Sequence, residues 1–379
     1  MKRLVSIFSA ISLLALMSAC TPTPVPGGDD NNDQTEGGSK PLGELTLTVD
    51  EPVIRADGQS AATFTVMVGE TVVTEGVQFY DGNDKPVELT DMKFTTTTAG
   101  TYSFWVAYKT KFSEKVEIMA MSSMVPVIPT DPQPSSTDFH RRSLLIQFTG
   151  TGCGYCPFMI NTIRRLAADS AYSDKYVHAA CHSYNDPDPA YIQTNLPSAM
   201  SVGGYPSCIF NLDKTTLFQS NVSDAAIKDY IDSKYEQGAR VAVAGACVVD
   251  GSQLVLRAGI KAGTAGSYRL AAWVLEDGIV GKQSNYGAPD EFGIGFDVHE
   301  NCIRYIYGQN AAKDFTGKSF KLEEGETADM FVIFDMPSYW VTENLHVVVF
   351  ASAQDGTSYI VNNCVDIPVN SSAAYSYKN

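Results

Sequence analysis

Hydrophobic and polar residues alternate along the chain between residues 44 and 121. Leu45 and Leu47 flank a polar residue, and the same period of two returns at Phe64 and Val66. This period places every second side chain on one face of a β-strand. Turn sequences such as Asp-Gly separate the short runs. The segment 44–121 is therefore predicted to be a small β-sandwich.

The pattern changes between residues 139 and 238. An apolar strand precedes a helix whose apolar stripe includes Ile163 and Leu166, with Asn161 and Arg164 on the opposite face. Two further strands follow, and then a second helix between a serine cap and a closing glycine. Because strands alternate with helices, 139–238 is predicted to be an α/β domain.

Strands dominate again from residue 239 to the end of the chain. They are predicted at 241–249, 254–260, 268–275, 330–334, 345–351 and 359–369. A stretch rich in Gly and Asn interrupts this pattern at roughly 277–326. We predict a second β-sandwich over 239–379 with this stretch as a long insertion, so the whole chain is multidomain.

The first residues, 1–20, have the layout of a secretion signal. Two positive residues precede an apolar run that is too short to span a membrane comfortably. Ser18 and Ala19 stand directly before Cys20, which is the pattern of a lipoprotein cleavage site. The alternative is an ordinary signal peptide with an incidental cysteine. We predict an exported protein that is held at the cell envelope by lipid on Cys20.

Two other segments contain few apolar residues. Residues 21–43 are rich in Pro, Gly, Asp and Asn, which predicts a flexible tether. Residues 122–138 contain four prolines among serines and threonines, which predicts a semi-rigid linker.

Net charge and cysteine content limit the partners and the disulfide pairings that the chain can have. The net charge of −16 repels phosphate backbones, so no nucleic-acid partner is expected. Of the eight cysteines, Cys20 is assigned to lipid, and the seven that remain are an odd number. At least one of them therefore stays unpaired within the chain.

Cys153 and Cys156 form a Cys-x-x-Cys motif at the junction of a predicted strand and helix. Unpaired N–H groups at a helix N-terminus stabilise a thiolate, which favours Cys153 as a nucleophile. Cys156 follows one turn later and is placed to resolve a mixed disulfide. Pro157 suits the first turn of a helix. We interpret the pair as the catalytic dithiol, and a structural disulfide remains the alternative.

Two other roles for the motif are disfavoured. A zinc site needs a second pair of Cys or His residues at metal-binding spacing, and none is present. Covalent haem attachment needs His after the second cysteine, where the chain has Pro157. No metal and no cofactor are therefore expected.

The order of strand, Cys-x-x-Cys, helix and strand-initiating proline resembles thioredoxin over nearly all of 139–237. In that family a cis-proline lies against the dithiol, and the residue before it pairs with the substrate backbone. The resemblance implies that Pro206 and Tyr205 bind substrate. Two positions differ from the family pattern. Gly152 stands where thioredoxins have tryptophan, and Gln147 stands where they have a buried aspartate.

Two looser resemblances concern the rest of the chain. The stretch 98–104, Thr-Ala-Gly-Thr-Tyr-Ser-Phe, is similar to bacterial Ig-like spacer modules, with an adhesin as the alternative. Residues 276–278, Gln283 and 299–304 resemble Omp-twenty-eight-related outer-membrane lipoproteins of anaerobic Gram-negative bacteria, over about 139–370. This second resemblance implies attachment to the outer membrane.

Two functions remain in competition. The first is a membrane-anchored thiol-disulfide oxidoreductase or isomerase that acts on the thiols or disulfides of exported proteins. The second is a non-enzymatic surface-binding or adhesion lipoprotein in which a thioredoxin fold is only a scaffold.

Overall fold

The computed structural model describes residues 44–219, 222–309 and 314–378, and β-strands form most of this part of the chain. Three α-helices lie within these described ranges. The predicted signal peptide 1–20 with Cys20, and the predicted tether 21–43, lie outside them. A β-rich architecture agrees with the alternation of apolar residues in the sequence.

Ten strands are described before residue 122, and they form two sheets. They are β1 (Leu45–Val49), β2 (Val53–Arg55), β3 (Ala62–Val68), β4 (Thr71–Val72), β5 (Val77–Asp81), β6 (Pro86–Val87), β7 (Lys93–Phe94), β8 (Gly100–Tyr108), β9 (Lys111–Phe112) and β10 (Val116–Met121). One sheet has the order β1-β3-β4 with β7 beside β3, and the other has the order β2-β10-β8-β5-β6 with β9 beside β8. Phe64 of the first sheet contacts Phe104 of the second edge to face, and both sheets contribute to one hydrophobic core.

The proline-rich stretch 122–138 is held against the C-terminal part of the chain. The buried ammonium group of Lys261 donates hydrogen bonds of 2.8 Å to Asp131 and to the carbonyl group of Pro134. The hydroxyl group of Tyr377 contacts the same ammonium group and donates to Asp131. Because a buried charge needs partners, these bonds tie the stretch to the sheet that carries Lys261.

Residues 139–238 contain the three described α-helices, whereas two short 3-10 helices lie at Thr90–Met92 and Thr342–Asn344. The elements are β11 (Ser143–Thr149), α1 (Cys156–Ala167), β12 (Tyr176–His182), α2 (Leu196–Ala199), β13 (Ser207–Phe210), β14 (Asp213–Gln219) and α3 (Asp224–Gln237). β11 lies between β12, which is parallel to it, and β13, which is antiparallel. β14 pairs with β13. The side chain of Ser223 caps α3, and Gly238, with φ of 71°, ends it.

Helices α1 and α3 cover one face of this sheet. Side chains alternate along β11, so Leu145 packs with the helices and Leu144 faces the opposite core. Ile163 and Leu166 of α1 join Leu145 in one apolar cluster with Ile231 of α3. The predicted apolar stripe of α1 is therefore confirmed as its sheet-facing side.

Strands make up more than half of the remaining described residues. They are β15 (Val241–Asp250), β16 (Gln253–Ala262), β17 (Gly266–Glu276), β18 (Ile279–Val280), β19 (Val298–His299), β20 (Cys302–Tyr307), β21 (Lys318–Leu322), β22 (Thr327–Asp335), β23 (Leu345–Asp355), β24 (Ser358–Pro368) and β25 (Ser371–Ala373). One sheet has the order β22-β16-β15-β25. It packs against the sheet that contains β17 and β23, and the two share a large apolar core.

The sheet that contains β17 is continuous with the sheet beneath α1. β20 lies parallel to β12, with Cys302 opposite Ala180. Among the described residues the resulting sheet has the order β14-β13-β11-β12-β20-β17-β23-β24, with β21 beside β17. This continuity brings the segment between β17 and β20 next to the Cys-x-x-Cys motif.

Candidate functional site

Cys153 lies in the turn between β11 and α1, which we call the dithiol turn (residues 150–155), and Cys156 is the first residue of α1. Cys153 and Cys156 are joined by a disulfide, with their Cα atoms 5.4 Å apart. The turn is tightened by backbone hydrogen bonds from Cys153 to Gly150 and from Cys156 to Cys153. α1 begins at Cys156, so Cys153 stands three residues before the helix rather than within its first turn.

Both cysteines are buried. Cys153 is 3% exposed and Cys156 is 0% exposed. A helix end and a turn are normally accessible, so another part of the chain must cover this one. The cover is formed by residues 281–297, which follow β18 and precede β19; we call them the covering segment.

The covering segment is bonded to the backbone of the dithiol turn. The N–H group of Ser284 donates to the carbonyl group of Thr151, and that of Tyr286 donates to the carbonyl group of Gly154, both at 2.8 Å. These bonds satisfy carbonyl groups of the turn in the manner of an added strand. Carbonyl groups of the turn are thus bonded to residues about 130 positions later in the sequence.

Gln283 anchors the covering segment from within. Its amide nitrogen lies 2.9 Å from the carbonyl oxygen of Cys153 and 3.2 Å from those of Gly150 and Thr151. The same nitrogen lies 3.1 Å from the carbonyl oxygen of Ser284. An amide group has only two hydrogens, so they are shared among these four acceptors. One buried side chain therefore holds both the dithiol turn and its cover.

Two glycines permit this close packing. A Cβ at Gly154 would lie 2.5 Å from ring carbons of Tyr286. A Cβ at Gly152 would lie 2.8 Å from the side chain of Asn185, whose Oδ1 accepts a hydrogen bond from the N–H group of Gly152. A side chain larger than hydrogen at residue 152 would therefore require Asn185 to move.

An acidic side chain also binds the backbone of the dithiol turn. Asp188 accepts hydrogen bonds from the N–H group of Thr151 at 2.8 Å and from His182 at 2.9 Å. Burial alone would raise the pKa of Asp188, but the hydrogen bond and charge of His182, with the backbone bonds, lower that pKa to about 2. Asp188 is therefore ionised at neutral pH and remains a fixed acceptor.

A second histidine links the covering segment to the sheet. The ring of His299 lies edge to face with that of His182, with 4.9 Å between the ring centres. Its Nε2 donates to the carbonyl group of Gly281 at 2.9 Å. Burial, followed by the nearby His182, lowers the pKa of His299. A neutral ring at this position keeps the start of the covering segment against β12.

The structure places Tyr205 and Pro206 at the start of β13, with a cis peptide bond between them. Ser207, the next residue, pairs with Phe148 near the end of β11. Tyr205 and Pro206 therefore lie at the edge of the sheet from which the dithiol turn emerges. The hydroxyl group of Tyr205 is 3.0 Å from that of Ser183 and donates to the carbonyl group of the same residue.

The other described cysteines are buried and unpaired. They are Cys181, Cys208, Cys247, Cys302 and Cys364. Burial raises the pKa of Cys181 and Cys208 to about 12, so both are protonated thiols at neutral pH. Among the described cysteines, Cys153 and Cys156 are the two that form a disulfide. Among the described residues, no group of His, Cys, Asp and Glu side chains is arranged to hold a metal ion.

Several residues of the site were not predicted as functional from the sequence. Tyr286, Asn185 and Asp188 lie in loops without hydrophobic periodicity, and Gln283 was noted only for a family resemblance. For Gln283 and Tyr286 the sequence offers one weak signal, the Gly- and Asn-rich composition of the insertion that contains them, whereas Asn185 and Asp188 lie outside that insertion. Among the described residues, no helix is long and apolar enough to cross a membrane.

Comparison with known proteins gives weak structural similarity. The sequence matches no protein-family model and no curated protein. HBP35 of Porphyromonas gingivalis shares 16% identity over 64% of this chain and 79% of its own, with a TM-score of 0.47. A domain of the outer membrane lipoprotein Omp28 from Porphyromonas gingivalis shares 15% identity over 35% of this chain and 89% of its own, with a TM-score of 0.23. Similarity at this level assigns no function to the chain.

Proposed function

We propose that this protein is a lipid-anchored protein of the cell envelope that exchanges disulfides with exported proteins through Cys153 and Cys156. In this proposal Cys20 carries the lipid and attaches the chain to the outer membrane. Residues 44–121 serve as an Ig-like spacer, and residues 139–238 form the thioredoxin-like part. The observation that carries the proposal is the position of the disulfide, between the end of a buried strand and the start of α1.

The proposed exchange conserves atoms and electrons. A client thiolate attacks the sulfur of Cys153, a mixed disulfide forms, and Cys156 leaves as a thiolate. A second client thiolate then attacks the client sulfur of the mixed disulfide and releases Cys153. The client dithiol is oxidised to a disulfide, the protein disulfide is reduced, and the two client protons pass to Cys153 and Cys156. The reverse sequence reduces a client disulfide.

Exchange in this proposal requires the covering segment to move. Attack on a disulfide needs access to one sulfur, and both cysteines are almost completely buried. Moving the segment breaks the backbone bonds of Ser284 and Tyr286 and the contacts of Gln283. The carbonyl groups of the dithiol turn then become available to a client backbone. Tyr205 and Pro206 are proposed as the other side of that client site.

The proposal is tested by measuring the redox potential of the full-length lipoprotein. The protein is equilibrated in glutathione buffers, and free Cys153 and Cys156 are counted after alkylation. An exchange function predicts a potential above about −300 mV, since structural disulfides lie below that value. In cells, Cys156→Ser should accumulate thiol-sensitive adducts through Cys153, and a variant with both cysteines changed to serine is the matched control. A potential below about −300 mV, or no adducts, would reject exchange.

Two observations favour the second candidate, a surface-binding lipoprotein with a structural disulfide. The covering segment buries the dithiol, and Gln147, at the position of the thioredoxin aspartate, cannot ionise. In that case the disulfide stabilises the turn on which the covering segment rests. The potential measurement separates the two candidates.

A further inference from the structure

A cavity of about 580 Å³ lies between α1 and the face of β11 and β12 beneath it. Its floor includes Gln147, Thr149 and His178 from the two strands, and its roof includes residues of α1. The lining residues do not include Cys153 or Cys156. The volume falls in the range of small-molecule sites, roughly 300–1,000 Å³.

The floor of the cavity carries polar groups with unused hydrogen-bonding capacity. Gln147 is 3% exposed and Thr149 is 2% exposed. Among the described residues, the amide nitrogen of Gln147, the hydroxyl oxygen of Thr149 and Nε2 of His178 have no hydrogen-bond partner. Burial of such a group without a partner is unfavourable, because the group loses its hydrogen bonds to water. Burial also lowers the pKa of His178 to about 4, so this ring is neutral at neutral pH.

The carboxylates that line the cavity already have partners. Asp174 accepts a hydrogen bond from Arg142 at 2.7 Å, and Asp366 lies 2.6 Å from His346. Glu300 accepts a hydrogen bond from the N–H group of Gly278 at 2.7 Å. A cationic ligand would therefore have to compete with an existing partner for each of these carboxylates.

Arg164 on α1 differs from the other charged residues that line the cavity in the kind of partner that it has. Its guanidinium donates to the carbonyl group of Gly295 at 2.7 Å and lies over the ring of Phe296. Among the described residues it forms no ion pair with a carboxylate. Burial lowers its pKa, and the charges of Asp290 and Glu300 only oppose that effect. Asp290 and Glu300 thus stabilise the charge of Arg164 at longer range, and the hydrogen-bond partner of its guanidinium is a carbonyl group rather than a carboxylate.

We propose that this cavity binds a small organic carboxylate with an apolar body. The guanidinium of Arg164 and the amide nitrogen of Gln147 can only donate hydrogen bonds, which calls for an acceptor, and the positive charge favours an anionic one. Ile160, Ile163 and Val298 supply an apolar wall for the rest of the ligand. The site does not involve a thiol, so it stands apart from the proposed exchange reaction.

The probes are three small aromatic compounds that differ in charge: phenylacetate, 2-phenylethanol and 2-phenylethylamine. Each is titrated into the full-length protein in detergent by calorimetry, with detergent alone as the blank. Phenylacetate should bind saturably to one site. The alcohol should bind about tenfold more weakly, because it lacks the charge-assisted bond to Arg164. The amine should show no saturable binding.

Variants locate the site. Arg164→Gln should weaken phenylacetate binding about tenfold, and Thr149→Val should weaken it about threefold or more while keeping its side chain nearly the same shape. The control Lys321→Gln makes the same charge change at an exposed position away from the cavity. Thermal melts establish that each variant is folded. No saturable binding of phenylacetate, equal binding of the amine, or full affinity in folded Arg164→Gln would overturn the proposal.

Discussion

The ring of Tyr286 lies directly against Gly154, one of the two residues between the cysteines of the disulfide. A Cβ at Gly154 would come within 2.5 Å of the ring carbons, and the N–H group of Tyr286 donates to the carbonyl group of Gly154 at 2.8 Å. No side chain larger than hydrogen fits between them. The covering segment is therefore in direct contact with the dithiol turn at Gly154.

Gly154→Ala should push Tyr286 away and uncover the disulfide. The added methyl group costs roughly 1–3 kcal/mol in the closed arrangement, because backbone and ring must both shift. Loss of about 1.4 kcal/mol from the closed state corresponds to a tenfold larger open population. We expect the Cys153–Cys156 disulfide to be reduced by glutathione about tenfold faster, as followed by alkylation over time.

The matched control is Gly203→Ala, because no atom lies within 4 Å of a Cβ at Gly203. It should change neither the reduction rate nor the melting temperature. The double variant Gly154→Ala/Tyr286→Ala removes the clashing ring. It therefore separates the effect of strain between residues 154 and 286 from the effect of an uncovered disulfide. If folded Gly154→Ala is reduced at the wild-type rate, Tyr286 does not protect the disulfide.

Gln283→Glu should loosen the covering segment in a pH-dependent way. At neutral pH the new carboxylate would face four carbonyl oxygens to which the native amide nitrogen is bonded, and like partial charges repel. Below its pKa the carboxyl group is protonated and can donate one bond again. Limited proteolysis within 281–297 should be faster than in wild type at neutral pH, with partial recovery in mild acid. Equal rates at neutral pH would contradict the anchoring role of Gln283.

Asp131→Asn should change how the free energy of unfolding depends on pH. Burial raises the pKa of Asp131, but hydrogen bonds from Lys261 and Tyr377 bring it below the ordinary value of 3.8. A lowered pKa means that the carboxylate stabilises the fold above pH 3.8, and this contribution is lost as pH falls through the folded pKa. Urea unfolding at about pH 7 and about pH 3 should show a stability gap between wild type and variant that shrinks in acid. A gap that stays constant would count against this pairing.

Cys20→Ser should release the protein from membranes without unfolding it. The result is expected from the predicted lipoprotein signal, since residues 21–43 are expected to act only as a tether. After a salt wash, the variant should be found in the soluble fraction with an unchanged circular dichroism spectrum. Continued sedimentation of the variant with membranes would exclude Cys20 as the anchor.

Local pattern predicted many of the individual elements, but not α2, β14 or the strands β18 to β21. The period-two runs correspond to β1 and β3, the strands predicted after residue 240 correspond to β15, β16, β17, β22, β23 and β24, and the stripe through Ile163 and Leu166 corresponds to α1. These agreements follow because a strand or helix that buries one face must repeat its apolar residues at the period of its backbone. The Cys-x-x-Cys motif was visible for a related reason, since its two cysteines are close in sequence as well as in space.

The environment of the motif was decided only by tertiary structure. Asn161 of α1 was predicted to lie on a solvent-facing side, yet it is buried, and its amide nitrogen donates to the carbonyl group of Pro289 at 2.7 Å. The contact joins residues 128 positions apart. The covering segment is held by backbone bonds to the dithiol turn and by single polar side chains such as those of Gln283, Asn161 and Arg164, which leave no periodic apolar pattern in the sequence. It reaches the dithiol because β20 pairs with β12, and the pairing of distant strands depends on the packing of whole sheets rather than on local residue pattern.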